Sequence, residues 1–542
     1  MASDSQCRSC EEWRAPKTQG PQEEGQPVAR SGAFPNFGSD RSHSTLCQIS
    51  RRISPFRQIG LPPSSAPMPR LSFLLLCLLL PASCLGQPNI LFLFADDQRN
   101  HTLGCAGHPV VKTPHLDRLA AQGVRFENAF VTTSTCWASR ACLFTGCYER
   151  RHLYRSSPGP LNPDLCATSY FALLKASGYR TAHLGKEHVA ISKESAVAMW
   201  DIRRKLGRNP YFKKQADGSL RHTTQILGDW GVDFLKEQGN NQPFCLQISF
   251  NATHAEDRDK RPGLGHFPWP RVMDGFYDDQ QMPLPTLNDA SIYESQPAFL
   301  KNSLNRERFF WRWDTAEKYQ INMRAYFRML SGIDHVMGRL VAQLKAQGLA
   351  ENTVIIYSAD NGFYLGDRGF AGKWTHYDES LRVPLIVFDP RAPKGRRGVV
   401  QKEMALNSDL GSTILELAGL PAPASHTGRS LLPILQGVTP KDWRQDFLCE
   451  FIAVPRTIPH WEGVRDKNWL YARYLVDGPD KPPFEFVHNL REDPQQLVNV
   501  AALPARSQTE AHTLALTRLR QRCDELVTTN GLRLQDLSRR KK

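Results

Sequence analysis

The chain has no apolar run that reaches the roughly 20 residues a bilayer-spanning helix needs. Zinc-type cysteine spacing is missing, and so is any basic block with interleaved aromatics. The formal charge of +14 therefore has no nucleic-acid motif behind it; by itself it points only to anions, small anionic substrates among them. Cysteine is sparse. Eight follow Gly86 (Cys105, Cys136, Cys142, Cys147, Cys166, Cys245, Cys449, Cys523), thinly spread, so a packed core and not a disulfide framework must hold the fold. With Cys136 set aside for chemistry seven remain, an odd number, and no pairing follows from spacing. Disorder is excluded as the general state by 41% apolar and 23% charged residues. The length of 542 residues allows about two or more structural units.

The longest apolar run belongs to a leader. Met68-Pro69-Arg70 precedes ten almost wholly apolar residues, Leu71 to Leu80, and then Pro81, Ala82, Ser83, Cys84, Leu85 and Gly86. A short basic start, an apolar stretch of this length and a small-residue cleavage zone read as a signal peptide over 68–86. The chain is thus expected in the secretory pathway, extracellular or lysosomal, without a stable membrane anchor. Residues 1–67, rich in Ser, Pro, Gln and Arg without periodicity, are read as a disordered extension, an artefact of the gene model upstream of a working start at Met68.

Beyond residue 87 short apolar runs recur at 89–95 (NILFLFA), 179–185, 243–250, 353–359 (TVIIYSA) and 384–389. Helical patterns lie between them. In TPHLDRLAAQG (113–123) Thr113 is the expected cap, Pro114 the first helical residue and Gly123 the stop. A second helix is expected over 325–348. Buried strands alternating with covering helices predict an α/β domain with a largely parallel sheet.

Four strands end in polar groups: Asp96 and Asp97, then Lys186 and His188, then His254, then Asp360 and Asn361. In open α/β sheets ligands bind beyond the carboxyl ends of strands, so these residues are expected to converge. Asp96, Asp97, Asp360 and Asn361 offer only oxygen, which suits Ca²⁺ or, less well, Mg²⁺ and argues against zinc. Cys136, in TSTCWASRACLFTG (133–146), stands at an expected helix N-terminus with Arg140 one turn on. Unpaired N–H groups and the helix dipole favour an anion there.

At this point the chain resembles the type I sulfatases of the alkaline phosphatase superfamily. Their signature is cysteine, any residue, proline or alanine, any residue, arginine. Cys136-Trp137-Ala138-Ser139-Arg140 fits it, with Phe144-Thr145-Gly146 downstream. ILFLFADDQ (90–98), HLGKEH (183–188), YSADNG (357–362), AGKWTHYDESLRVPLIV (371–387) and FEFVHNLREDPQQLVNVA (484–501) extend the likeness over nearly everything after residue 87. The commoner proline of the signature is Ala138 here, and the usual proline of the histidine motif is absent from THAEDRDK (253–260).

The resemblance implies a large mixed, mostly parallel sheet sandwiched by helices over 87–440. A smaller antiparallel four-stranded sheet with a helix and a basic tail is implied over 441–542. It implies hydrolysis of a sulfate ester on a carbohydrate or aryl substrate. The nucleophile is the hydrate of a formylglycine made from Cys136 by a formylglycine-generating enzyme. Asp96, Asp97, Asp360 and Asn361 are implied as ligands of a calcium ion, and Arg140 as the residue holding the hydrate. Lys186 and Lys373 would grip sulfate, His188 act as base, and His254, with Lys373, serve the leaving oxygen. His376 is read as a surface histidine. The alternatives are a phosphomonoester or phosphonate ester hydrolase with the same nucleophile, although no Asp/His set for a second metal is found, and an inactive binding protein of the same fold. Of two glycosylation sequons, at Asn100 and Asn251, the second lies three residues before His254 and is expected to stay unmodified. Specificity is expected in the long irregular segments 192–224 and 255–294.

Overall fold

Strand β1 (Asn89–Ala95) is buried along its whole length, the mark of a strand covered on both faces. The computed structural model describes residues 87–154, 159–239, 241–258, 261, 265–452 and 458–539. The expected leader and the last residues of the basic tail lie outside them. The remaining strands of the main sheet are β2 (Val124–Phe126), β3 (Arg180–Gly185), β4 (Ile202–Lys205), β5 (Phe244–Ser249), β6 (Thr353–Ala359), β7 (Leu385–Phe388) and β8 (Val399–Gln401). Their spatial order is β8-β2-β7-β6-β1-β5-β3-β4. β1 runs parallel to β5 and β6 on its two sides, and β3 and β4 continue the parallel set. β7 is antiparallel to β6 and β2, so the sheet is mixed.

Register decides where the polar groups fall. Ala95 pairs with Ala359, Phe94 with Ser249, and Gly185 with Ser249, so β1, β6, β5 and β3 end side by side. The turn after β3 needs glycine: Gly185 has φ +106°, and a Cβ there would stand 2.1 Å from the Ser249 carbonyl oxygen.

Helices α1 (Pro114–Gln122), α2 (Cys136–Thr145), α3 (Thr223–Lys236) and α4 (Ala316–Ala346) flank the sheet, with α1 and α3 packed on α4. Two local expectations are corrected. Thr113 makes no cap bond: its hydroxyl donates to Asp117 at 2.9 Å. The N-terminus of α1 is capped from α4 instead, where the buried Asp334 carboxylate accepts from the N–H groups of Leu116 (2.7 Å) and His115 (3.3 Å). Helix α4 starts nine residues before Ala325, because the Thr315 side chain accepts from Lys318 N and Tyr319 and Met323 extend its buried face.

The expected smaller sheet is present as β9 (Asp446–Phe451), β10 (Trp461–Asp466), β11 (Trp469–Tyr474) and β12 (Phe484–Asn489), antiparallel throughout. Helix α5 (Glu510–Asn530) covers it through Leu519, Cys523 and Val527. All eight cysteines among the described residues are free thiols. No helix among the described residues is long and apolar enough to cross a membrane.

Candidate active site

The strand ends bring the expected residues together. Arg140 Nε donates to Asp360 Oδ2 at 2.8 Å and its Nη1 to the Lys186 carbonyl at 2.8 Å, so one buried guanidinium ties α2 to the ends of β6 and β3. Asp97 N donates to Asp360 Oδ1 at 3.2 Å, and Asn361 Nδ2 to Asp97 Oδ1 at 2.7 Å. Lys186 pairs with Asp96, and Lys373 with Asp97 and with Asn361 Oδ1 at 3.1 Å. Asp97, His188 and Trp374 all adopt left-handed φ (56°, 54° and 79°). That conformation costs a non-glycine residue about 1–3 kcal/mol and persists only where the surroundings impose it.

Cys136 begins α2, as expected, with Thr135 as the extended residue before it. Its sulfur lies within 4.8 Å of carboxylate oxygens of Asp96 and Asp360, themselves equally close together. Burial would raise the thiol pKa. Lys186 and Lys373, with a hydrogen bond from His188, outweigh burial and hold it well below the usual thiol range. Asp96 is pushed up to about 6 by burial and then by Asp360, against the pull of Lys186. For Asp97 burial is outweighed by Lys373 and Lys186, which hold it below the usual range.

Two acceptors in this cluster are left over. Asp96 Oδ1 and Asp97 Oδ2 are buried without a hydrogen bond among the described residues, although His254 Nε2 stands 3.5 Å from the latter. Buried carboxylate oxygens without partners are costly. Together with the other oxygens of Asp360 and Asn361 they form an all-oxygen donor set that fits a hard divalent cation. A cavity of about 670 Å³ opens on this cluster, lined by Lys186, His188, Arg208, Asn251 and His254 among others. His254 is held neutral, its pKa well below the usual range through burial and then through Arg208.

His376 is not at the surface. It is fully buried, with Nδ1 2.8 Å from the Tyr474 hydroxyl and Nε2 3.2 Å from His488 Nε2. The C-terminal sheet closes over it, which a local reading of 371–387 could not show.

Supporting residues escaped the sequence reading. Asn305 brackets Lys373 with two hydrogen bonds, to its N–H (3.0 Å) and carbonyl (2.8 Å). The hydroxyls of Thr253 and Tyr326 donate to the Asp97 carbonyl, each at 3.0 Å. Arg208 meets His254 Nδ1. Thr253 stands in THAEDRDK and Arg208 in the segment 192–224, but no motif announces Asn305 or Tyr326.

The sulfatase family model matches residues 88–420, and one described as the C-terminal part of N-sulphoglucosamine sulphohydrolase matches 366–522. An N-acetylglucosamine-6-O-sulfatase of Bacteroides thetaiotaomicron is 27% identical over 472 residues, 76% of this chain and 82% of that protein. A solved structure described as a complex with its substrate D-glucosamine-2-N,6-O-disulfate aligns with TM-score 0.66 at 24% identity, covering 81% of this chain and 97% of the other. A phosphonate monoester hydrolase from Silicibacter pomeroyi aligns with TM-score 0.67 at 23% identity, covering 82% and 96%. These two share the fold. With the family match running across the main sheet and every strand end that carries the site, the chain belongs to the sulfatase family and is a sulfuric ester hydrolase of the alkaline-phosphatase-like fold.

Proposed function

We propose that this sulfatase cleaves a sulfate ester on a saccharide, using formylglycine formed from Cys136 and a calcium ion held by Asp96, Asp97, Asp360 and Asn361. The observation that carries the reading is the buried set of carboxylates with two unpartnered oxygens beside Cys136 and two lysines. The saccharide part leans on the names of the relatives matched above. Maturation by a formylglycine-generating enzyme would act on Cys136 before or during folding, since the folded residue is buried.

When present, the aldehyde supplies a hydrated, diol nucleophile and the cation supplies charge that acidifies it and holds the sulfate. The chain's own residues do the rest. Arg140 fixes Asp360 and the first turn of α2. Lys186 and Lys373 bind the sulfate oxygens and offset the charge that grows on them. His188, exposed on the cavity wall and within hydrogen-bonding reach of residue 136, takes a proton from the nucleophile. His254, held neutral, hydrogen-bonds to the ester oxygen and polarises it, and the Lys373 ammonium gives that oxygen its proton as the sulfur–oxygen bond breaks, so that a neutral alcohol departs.

The mass of the tryptic peptide containing residue 136, taken with turnover of an aryl sulfate and an aryl phosphate, tests this reading. An aldehyde mass and preference for the sulfate are expected. An unmodified thiol in fully active protein would sink the formylglycine assignment. Faster turnover of the phosphate would favour the phosphate or phosphonate ester hydrolase, since fold alone does not choose between sulfur and phosphorus.

A further inference from the structure

Beside the catalytic cavity stands a buried arginine with two of its three nitrogens unpaired among the described residues. Arg312, at the end of the Leu304–Arg312 helix, is 0% exposed, and its Nε and Nη1 have no hydrogen-bond partner among the described residues. Its Nη2 pairs with Asp257. The same carboxylate also serves Arg308, with Nη2 at 3.2 Å, and Arg208, with Nη2 at 3.8 Å. Among the described residues these three guanidinium groups pair with this one carboxylate, and Asp96 and Asp97, which also act on Arg208, are already paired with Lys186 and Lys373. Burial pushes Arg312 down to about 10, with Asp257 opposing the fall and Arg308 adding to it. A purely structural ion cluster gains from matched charges and satisfied donors, because uncompensated buried charge is destabilising.

The cluster adjoins the reacting centre at two points. Arg208 lines the catalytic cavity and touches His254, the residue placed at the leaving oxygen. The Arg308 guanidinium lies 5.2 Å from the ring of Trp374, the residue after Lys373. The Arg208 and Asp257 side chains are both 23% exposed, and Arg208 lines the cavity, so a ligand can reach the cluster at Arg208 and meets the buried Arg312 where it displaces Asp257.

We propose that Arg208, Arg308 and Arg312 form a subsite for a second anionic group, sulfate or carboxylate, on the same ring as the sulfate ester that is cleaved. The inference rests on the sulfatase reading of the site and narrows its substrate class to rings carrying at least two anions. Asp257 is the resident counter-ion, which holds the guanidinium groups in place and competes with the ligand's anion. Guanidinium is well matched to either anion, because its fork of donors meets both sulfate and carboxylate oxygens.

The test uses full-length protein carrying Cys136→Ala, which binds without turnover. Calorimetry compares phenyl sulfate, 3-carboxyphenyl sulfate and benzene-1,3-diyl disulfate. At least one doubly anionic ester should bind about tenfold or more tightly than phenyl sulfate, the worth of a charge-assisted hydrogen bond; which one does so identifies the anion. Arg308→Gln should remove most of that preference, and Asp257→Asn, by removing the competitor, should increase it. Parent protein that binds all three alike, or none, overturns the proposal. So does weakening of all three by the same factor in both variants, the outcome of a merely structural cluster. Failure of the sulfatase reading has a different signature: protein with residue 136 intact would not hydrolyse phenyl sulfate, whatever the binding preference.

Discussion

Replacing Arg150 by alanine should destabilise the protein by about 3–5 kcal/mol, the range for removing one partner of a buried ion pair. Arg150 Nε lies 2.6 Å from Glu450 Oε2 and Nη2 2.8 Å from Glu462 Oε2, all three side chains being 0% exposed. Its Nη1 also donates to the Leu532 carbonyl at 2.8 Å, and its backbone N–H to Glu450 Oε1 at 3.1 Å. Arg473 remains as a partner for Glu462, so Glu450 bears most of the loss. At about 2 cal/mol/K of unfolding entropy per residue, a folded body of roughly 450 residues loses about 3–5 °C in Tm.

The pH dependence gives a second check. Burial already holds Glu450 above its usual range, against the pull of Arg150; without the arginine it rises further above its unfolded value. A raised carboxyl contributes stability at low pH that is lost as pH climbs through the folded pKa. The Tm deficit should therefore be smaller at pH 5 than at pH 8. Scanning calorimetry on both proteins at the two pH values decides it. A deficit below about 1 °C, or one independent of pH, would refute the claim that Glu450 is desolvated and dependent on Arg150.

Lys373→Ala should lower kcat for an aryl sulfate by about 10²–10³-fold, the cost of removing one preorganised group from developing charge; steady-state kinetics at saturating substrate measure it, and a loss under about tenfold would move Lys373 out of contact with sulfate. Asp360→Ala should abolish hydrolysis, as should exhaustive chelation with activity restored by Ca²⁺; full activity in chelated protein contradicts the cation assignment. Asn251 should carry no glycan, because it is buried and its Nδ2 donates to the Leu206 carbonyl at 3.0 Å on the wall of the cavity that His188 and His254 also line. Glycopeptide mapping of active protein that finds Asn251 occupied would displace His254 from the leaving-group position.

Much of the site was legible because its groups stand directly after apolar runs whose strand character is local. β1 and β6 occupy the runs 89–95 and 353–359, and the expected β3 and β5 differ by a residue at their ends. The short strands β2, β4 and β8 were not seen, being three or four residues long and paired only by their neighbours. His376 misled for a related reason: three residues past Lys373 it has no periodic context, and its burial depends on Tyr474 and His488, about a hundred positions away.

The sequence by itself determined the class of fold, through apolar runs alternating with helical patterns, and the chemistry on offer, through the residue types that follow each run and surround Cys136. These are local properties, carried by periodicity and composition within about ten positions. Only the tertiary structure decided that Asp360 meets Arg140, that Asp334 and not Thr113 caps α1, and that Arg208, Arg308 and Arg312 gather on Asp257. Each of these contacts joins segments from about 50 to more than 200 residues apart, and strand register and helix packing, which no local pattern encodes, bring them together.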